Sequence, residues 1–349
     1  MKTRYLSLII AAGLALGLSS CKKEVIHQHG IAPIPEADIY VAGFVGPQSQ
    51  AAYWKNGELT QLEQNSSVIS YARSIAVNAN GVYAVGAKQS LSGLNAVLWF
   101  NGTATVLSDP SVNAEAMSVA LSGSDVYVAG YQNDPAAGHT KALYWKNGAA
   151  TLLSGGLVAK AIVISGNDVY IAGQTTGGVA AYWKNGTVTT LPEGNTANAI
   201  TVVGSDVYVV GQSTLGSIIY WKNGIASQLL DGTANATPAW VTGIAVSGSN
   251  VYVAGAIPNG DAGLAPAVWT NSTPQMLTVP ANLSSNPSNN EATGITVFDA
   301  DVYTAGEVNN NGTQQWESFY WKNGEAPVQL QGNGNLATSY GITVVPKNN

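Results

Sequence analysis

The segment Asp125-Val126-Tyr127-Val128-Ala129-Gly130, followed by Ala142-Leu143-Tyr144-Trp145-Lys146-Asn147-Gly148 and then by Leu153, is one copy of a unit that the chain writes seven times. Its hexapeptide also starts at Asp38, Asp168, Asp206, Asn250 and Asp301, and recurs as Gly81-Val82-Tyr83-Ala84-Val85-Gly86 with the first position changed. Successive starts lie 43, 44, 43, 38, 44 and 51 residues apart. The tryptophan of the second element stands at 54, 99, 145, 183, 221, 269 and 321, and a leucine follows each of them. A further apolar element of the type Gly-Ile-x-Val carries Ile75, Val119, Ile162, Ile200, Ile244, Ile295 and Ile342. Seven copies of four such elements predict about 28 strands, and a period near 44 residues is that of a four-stranded propeller blade.

Each element reads as a strand because β-branched and aromatic residues dominate it and tight-turn residues bound it. Asn-Gly at Asn56, Asn101, Asn147, Asn185, Asn223 and Asn323 is the favoured two-residue hairpin turn, since both central positions need positive φ. Name the strands of a blade a (Ile-x-Val), b (Val-Tyr), c (Tyr-Trp) and d (the segment ending in Leu). The repeats begin with strand b at Asp38 and end with strand a at residues 341–345, so the last strand must complete the first blade. The sequence therefore predicts an all-β fold over 38–349, a seven-bladed β-propeller of four-stranded antiparallel blades, closed by the C-terminal strand joining the first blade.

The wording Ala-x-Tyr-Trp-Lys-Asn-Gly…Leu…Ala-x-x-Ile-x-Val resembles the short propeller repeats of bacterial extracellular proteins, particularly the HAF type with its Ala-Phe-Leu-Trp-x-x-Gly core. It covers residues 38–346 and departs from that type in lacking a His before the Ala-x-x-Trp element. The resemblance implies a propeller fold and an exported location, and it implies no catalytic residue. WD40, kelch and sialidase signatures are absent from the sequence.

Composition sets outer limits. The 349 residues include 14 Lys+Arg, 20 Asp+Glu, 3 His and 1 Cys, and 10% are charged, against roughly 25% in soluble domains. Low charge with 46% hydrophobic residues excludes a disordered chain, and the acidic balance excludes an electrostatic nucleic-acid binder. One Cys excludes a disulfide framework. No cofactor and no metal site are expected.

Residues 1–20 run from Lys2 and Arg4 through an apolar stretch to Ser19 and Ser20, the order of a secretory signal. The single cysteine follows, so Leu18-Ser19-Ser20-Cys21 resembles a bacterial lipobox, which implies lipidation of Cys21 by palmitate-type chains. Residues 1–20 then read as a lipoprotein signal peptide, and 21–37 as the lipidated Cys with a polar tether. That predicts a protein of the cell envelope, in the outer membrane, held by its lipid alone.

Variable b–c and d–a connections fall on one end of every blade, so that end is where a ligand should bind. Nineteen of 25 Trp and Tyr occupy repeat positions and read as blade packing. Outside the repeat and the signal stand Tyr71, Tyr131, Trp240, Trp316 and Tyr340, candidates for a stacking platform. One column also breaks the repeat: two residues before each strand-a anchor come Arg73, Met117, Lys160, Asn198, Thr242, Thr293 and Tyr340. Strand a is innermost, so these sit near the mouth of the central channel, where Arg73 and Lys160 suit a carboxylate or phosphate. Around the variable loops the sequence is net acidic, with Asp109, Glu115, Asp134, Glu193, Asp231, Asp261, Glu291, Glu307 and Glu317. His139 is the only His of the repeat region, which leaves little for a Ser-His-Asp arrangement. The expectation is a non-catalytic module recognising glycan or protein at this face. Alternatives are a polysaccharide hydrolase or lyase using loop carboxylates such as Glu291 and Glu307, or a structural component of an envelope complex.

Overall fold

The structure is a computed structural model that describes residues 37–347, apart from 92, 231–238, 260–262, 281–282, 284–289, 311–312, 314 and 333–335. The expected signal peptide, Cys21 and the expected tether as far as Glu36 lie outside the described residues. The rest forms seven antiparallel sheets of four strands in the order a-b-c-d. Blades are numbered here from the one that holds Ala37. Blade 1 is composite: Ala337–Pro346, from the C-terminus, pairs along the whole of Ala37–Val45. The expected seven-bladed propeller and its closure are both present.

The innermost strands meet around the channel. Val119 N donates to Ser74 Oγ at 3.3 Å and Ile162 N to Ser118 Oγ at 3.3 Å, each joining one blade to the next. The core lies between blades. Every repeat Trp is buried to 0–1% exposure, in a cluster shared with apolar residues of the preceding blade. Trp221 of blade 5, for example, rests against Ala172, Ala180 and Leu191 of blade 4. Its indole Nε1 donates to the Pro192 carbonyl at 2.9 Å, and Trp54 and Trp321 make the matching bonds to Gln331 and Thr278. Trp145 Nε1 has no such partner among the described residues. Trp221→Phe should therefore cost about 1 kcal/mol more than Trp145→Phe. Urea midpoints would measure the difference; equal costs would mean the indole bond contributes nothing.

At the turn end a polar clamp explains four repeated residues at once. In blade 4 Asn185 takes φ +50°, Nδ2 donates to Asp168 Oδ1 at 2.7 Å and Oδ1 accepts from Val169 N at 2.9 Å. Lys184 pairs with Asp168 at 2.9 Å and lies 5.2 Å from the Tyr170 ring. The same Asp–Lys pair recurs at Asp38, Asp125, Asp206 and Asp301. These charges neutralise one another, so the turn face is a structural surface.

Candidate functional site

The column that breaks the repeat has a single structural cause. In every blade the pairing of strands a and b slips by one residue, and the residue left unpaired is the variable one. The slips fall at Ala72/Ser74, Ala116/Ser118, Ala159/Ala161, Ala197/Ala199, Val241/Gly243 and Ala292/Gly294, and blade 1 passes from Ser339 to Gly341. Arg73, Met117, Lys160, Asn198, Thr242, Thr293 and Tyr340 are thus seven β-bulges. A bulge bends its strand and re-aims one side chain. Here all seven line one cavity of about 360 Å³ at the channel mouth.

The repeated Gly of strand b is the counterpart of the bulge. A Cβ on Gly86, Gly130, Gly173, Gly211 or Gly255 would overlap the carbonyl oxygen of Tyr71, Glu115, Val158, Thr196 or Trp240 respectively. Gly43 and Gly306 meet Thr338 and Glu291 in the same way. Only a residue without Cβ admits so close a backbone approach.

Around the mouth each blade also offers a cross-strand pair: Tyr71 with Ala87, Glu115 with Tyr131, Val158 with Gln174, Thr196 with Gln212, Trp240 with Ala256, Glu291 with Glu307, and Thr338 with Phe44. None of these pairs repeats from blade to blade.

Four of the sequence candidates, Arg73, Lys160, Trp240 and Tyr340, line the cavity itself. Arg73 is held between two phenol rings, its guanidinium 4.8 Å from the Tyr71 centroid and 4.4 Å from that of Tyr340. Its Nε donates to Glu115 Oε1 at 2.7 Å, while Tyr131 Oη donates to Glu115 Oε2 at 2.8 Å. Glu115 is 5% exposed. Burial acts against the Arg73 charge, but Tyr340 and Glu115 outweigh it and leave the guanidinium firmly protonated. Burial, with the Glu115 charge beside it, pushes the Tyr71 phenol up to about 12. Tyr71 and Tyr131 therefore stand behind the cavity as supports for Arg73 and Glu115.

Lys160 differs. Its Nζ donates to Asn198 Oδ1 at 2.8 Å, and it has no carboxylate within 4.0 Å among the described residues. Burial alone holds its ammonium below the usual lysine range. Asn198 is fixed in turn by donating Nδ2 to the Val241 carbonyl at 2.9 Å.

Blade 7, across the ring from blade 4, carries the acid. Trp240 Nε1 donates to Glu291 Oε2, which orients the indole. Burial raises the Glu291 carboxyl, opposed by the Trp240 bond and Arg73. Glu307 is pushed up to about 8 by burial and then by the Glu291 charge. Its Oε2 is buried without a partner among the described residues.

The chain matches no family model and no curated protein. Solved structures share its fold. A puromycin-hydrolysing peptidase of Mycobacterium tuberculosis aligns over 84% of this chain and 52% of its own, at 13% identity and a TM-score of 0.51. An acylaminoacyl peptidase of Pyrococcus horikoshii aligns over 84% and 50%, at 10% identity and a TM-score of 0.48. A fucose-specific lectin of Aleuria aurantia aligns over 76% and 96%, at 12% identity and a TM-score of 0.45. The chain spans about half the length of the two peptidases. The likeness to the first of these, at 13% identity, is one of fold.

Other expected residues lie elsewhere. Trp316 is half-buried opposite Asn309 on blade 7, and it is not among the residues lining the cavity. His139 is exposed. Glu115 and Glu291 sit at the start of their strands and Glu307 within its strand, and not in the loops; Asp134 pairs with Lys141 at 3.5 Å. Asp231 and Asp261 lie outside the described residues. The sequence reading gave no role to Gln212, which lines the cavity, or to the support Glu115 gives Arg73. The signal that marks both is the loss of repetition in the cross-strand columns flanking each bulge.

Proposed function

We propose that this protein is a non-catalytic recognition module of the bacterial cell envelope, anchored through a lipid on Cys21, that binds glycan in the cavity at its channel mouth. The observation that carries the reading is the convergence of seven unrepeated bulge residues, with Trp240 beside them, on one concave site. A cavity of about 360 Å³ is at the small end of ligand pockets, roughly 300–1,000 Å³, and suits a sugar unit better than the broad face a protein partner needs. Trp240 supplies a rigid aromatic face, and Asn198, Gln212, Thr242 and Thr293 supply polar groups around it.

The test is binding of the purified protein to a glycan array. Trp240→Ala should weaken the recognised glycan by at least about tenfold, or 1.4 kcal/mol, while Trp316→Ala, outside the cavity, should leave it unchanged. Equal binding by wild type and Trp240→Ala would refute the site.

A second reading, polysaccharide cleavage, has the registered pair Glu291 and Glu307 in its favour, with one carboxyl neutral near pH 7. Against it, Glu307 Oε2 is closed off from the cavity. Turnover of a polysaccharide that disappears in Glu291→Gln while binding persists would establish it.

A further inference from the structure

We propose that the sugar bound at the channel mouth carries a carboxylate, as a hexuronic acid does, and that Lys160 recognises that group from one side of the mouth with Arg73 beside it. The inference rests on the glycan reading of the cavity and adds the ligand's charge and orientation.

Lys160 is the starting point. A buried ammonium is costly unless it meets an opposite charge or several acceptors. The exposed lysines of the turn face have such partners: Lys55, Lys146, Lys184, Lys222 and Lys322 each reach an Asp within 2.6–2.9 Å. Lys160, half-buried, meets only a neutral amide oxygen among the described residues. That amide is locked in place: Asn198 donates Nδ2 to the Val241 carbonyl, and its Oδ1 also accepts from Thr196 Oγ1 at 3.3 Å. The ammonium is thus positioned by a rigid neutral group and left with donors for a further acceptor. The bulge at Lys160 directs it into the cavity with the other six bulge residues.

The rest of the mouth fixes the ligand's direction. Arg73, two blades from Lys160, donates through Nε to Glu115, and its other N–H groups have no hydrogen-bond acceptor among the described residues. Met117 lies between the two cations in ring order. Three blades from Lys160, Glu291 closes the opposite side of the mouth. Arg73 and Glu115 pair with each other, which leaves Lys160 and Glu291, among the described residues of the cavity, as a cation and a carboxyl group on opposite sides of it. A singly charged carboxylate on a ring whose hydroxyls reach Glu291 and Thr293 matches that arrangement. A doubly charged phosphate would meet the same lysine and add repulsion from Glu291.

The experiment measures binding by titration calorimetry at pH 7. The probes are D-glucuronate and D-galacturonate, each beside its methyl ester and its neutral hexose, with glucose 6-phosphate and N-acetylglutamate for comparison. One of the uronates should bind at least about tenfold tighter than its ester and its hexose. Lys160→Gln should abolish that preference, and Lys160→Arg should restore part of it. Circular dichroism verifies that both variants are folded.

Tighter binding of glucose 6-phosphate than of either uronate overturns the carboxylate assignment, and equal binding of N-acetylglutamate overturns the sugar. An unchanged uronate preference in Lys160→Gln removes Lys160 from the site. If hexoses bind as well as uronates and lose affinity in Trp240→Ala, the charge inference fails and the glycan reading stands. If no sugar binds at millimolar concentration, both fail.

Discussion

Gly173→Ala should destabilise the protein by on the order of 4 kcal/mol or more, enough to abolish soluble expression, whereas Gly177→Ala should change stability by less than about 0.5 kcal/mol. The two glycines are four positions apart in the same blade. At Gly173 a Cβ would overlap the Val158 carbonyl oxygen and sit 3.0 Å from its carbonyl carbon. Both atoms belong to the backbone of the innermost strand, which is packed between neighbouring blades and cannot withdraw. Relief would require ironing out the bulge at Lys160, and a one-residue slip there would turn every following side chain of the strand to the other face of the sheet. At Gly177 the nearest atom is Thr175 Oγ1 at 3.7 Å, an ordinary contact, and the backbone is not in the left-handed region. Thermal melting of both variants decides the matter: a Gly173→Ala protein within about 1 kcal/mol of wild type would show that the bulge does not dictate the glycine.

That glycine shows how far the sequence could be read. Strand identity, blade number and closure were legible, because seven imperfect copies average out local ambiguity and the phase of the first and last strands forces a composite blade. The function of the conserved-looking features within the repeat was legible only in part. Asp168, Lys184 and Asn185 recur for a reason visible as turn chemistry, but the Gly of strand b recurs because of a bulge in a different strand, and no periodicity reports a one-residue slip in pairing. The candidate site was legible by subtraction. Removing the repeat exposed the column of Arg73, Lys160 and Tyr340, and these do meet in one cavity. Subtraction failed where charge was assigned by proximity to loops. Glu115 looked like one more acidic loop residue, whereas it is buried against Arg73 and Tyr131; Trp316 looked equivalent to Trp240, whereas it lies on strand c, away from the channel. A side chain's register position on its strand, and not its distance from a loop in sequence, decides which of these reach the mouth.

Register also sets up the pH dependence of the fold. Glu291 and Glu307 are direct cross-strand partners, a placement in which like charges oppose each other. Glu307 is raised to about 8 by burial first and by the Glu291 charge second, against an ordinary value of 4.5, with the Thr338 hydrogen bond and Arg73 acting the other way. A carboxyl that titrates higher in the folded than in the unfolded protein binds more protons folded. Stability therefore does not suffer below about pH 4.5, declines as the pH rises from there to about 8, and is level beyond. Glu307→Gln keeps the shape and the neutral state at every pH. It should match wild type at pH 4.5 and exceed it by an amount that grows toward pH 8.5, on the order of 2–3 kcal/mol once the partial exposure of the side chain is allowed for. In thermal melts this appears as a gain of several degrees that is present at pH 8.5 and missing at pH 4.5. A gain independent of pH would assign the effect to packing, and a variant less stable than wild type at pH 8.5 would mean that the ionised carboxylate has a partner stabilising it. Because Glu291 would then stand beside a neutral amide, the same substitution should leave Glu291 and its bond from Trp240 in place, and glycan binding at pH 7 should survive.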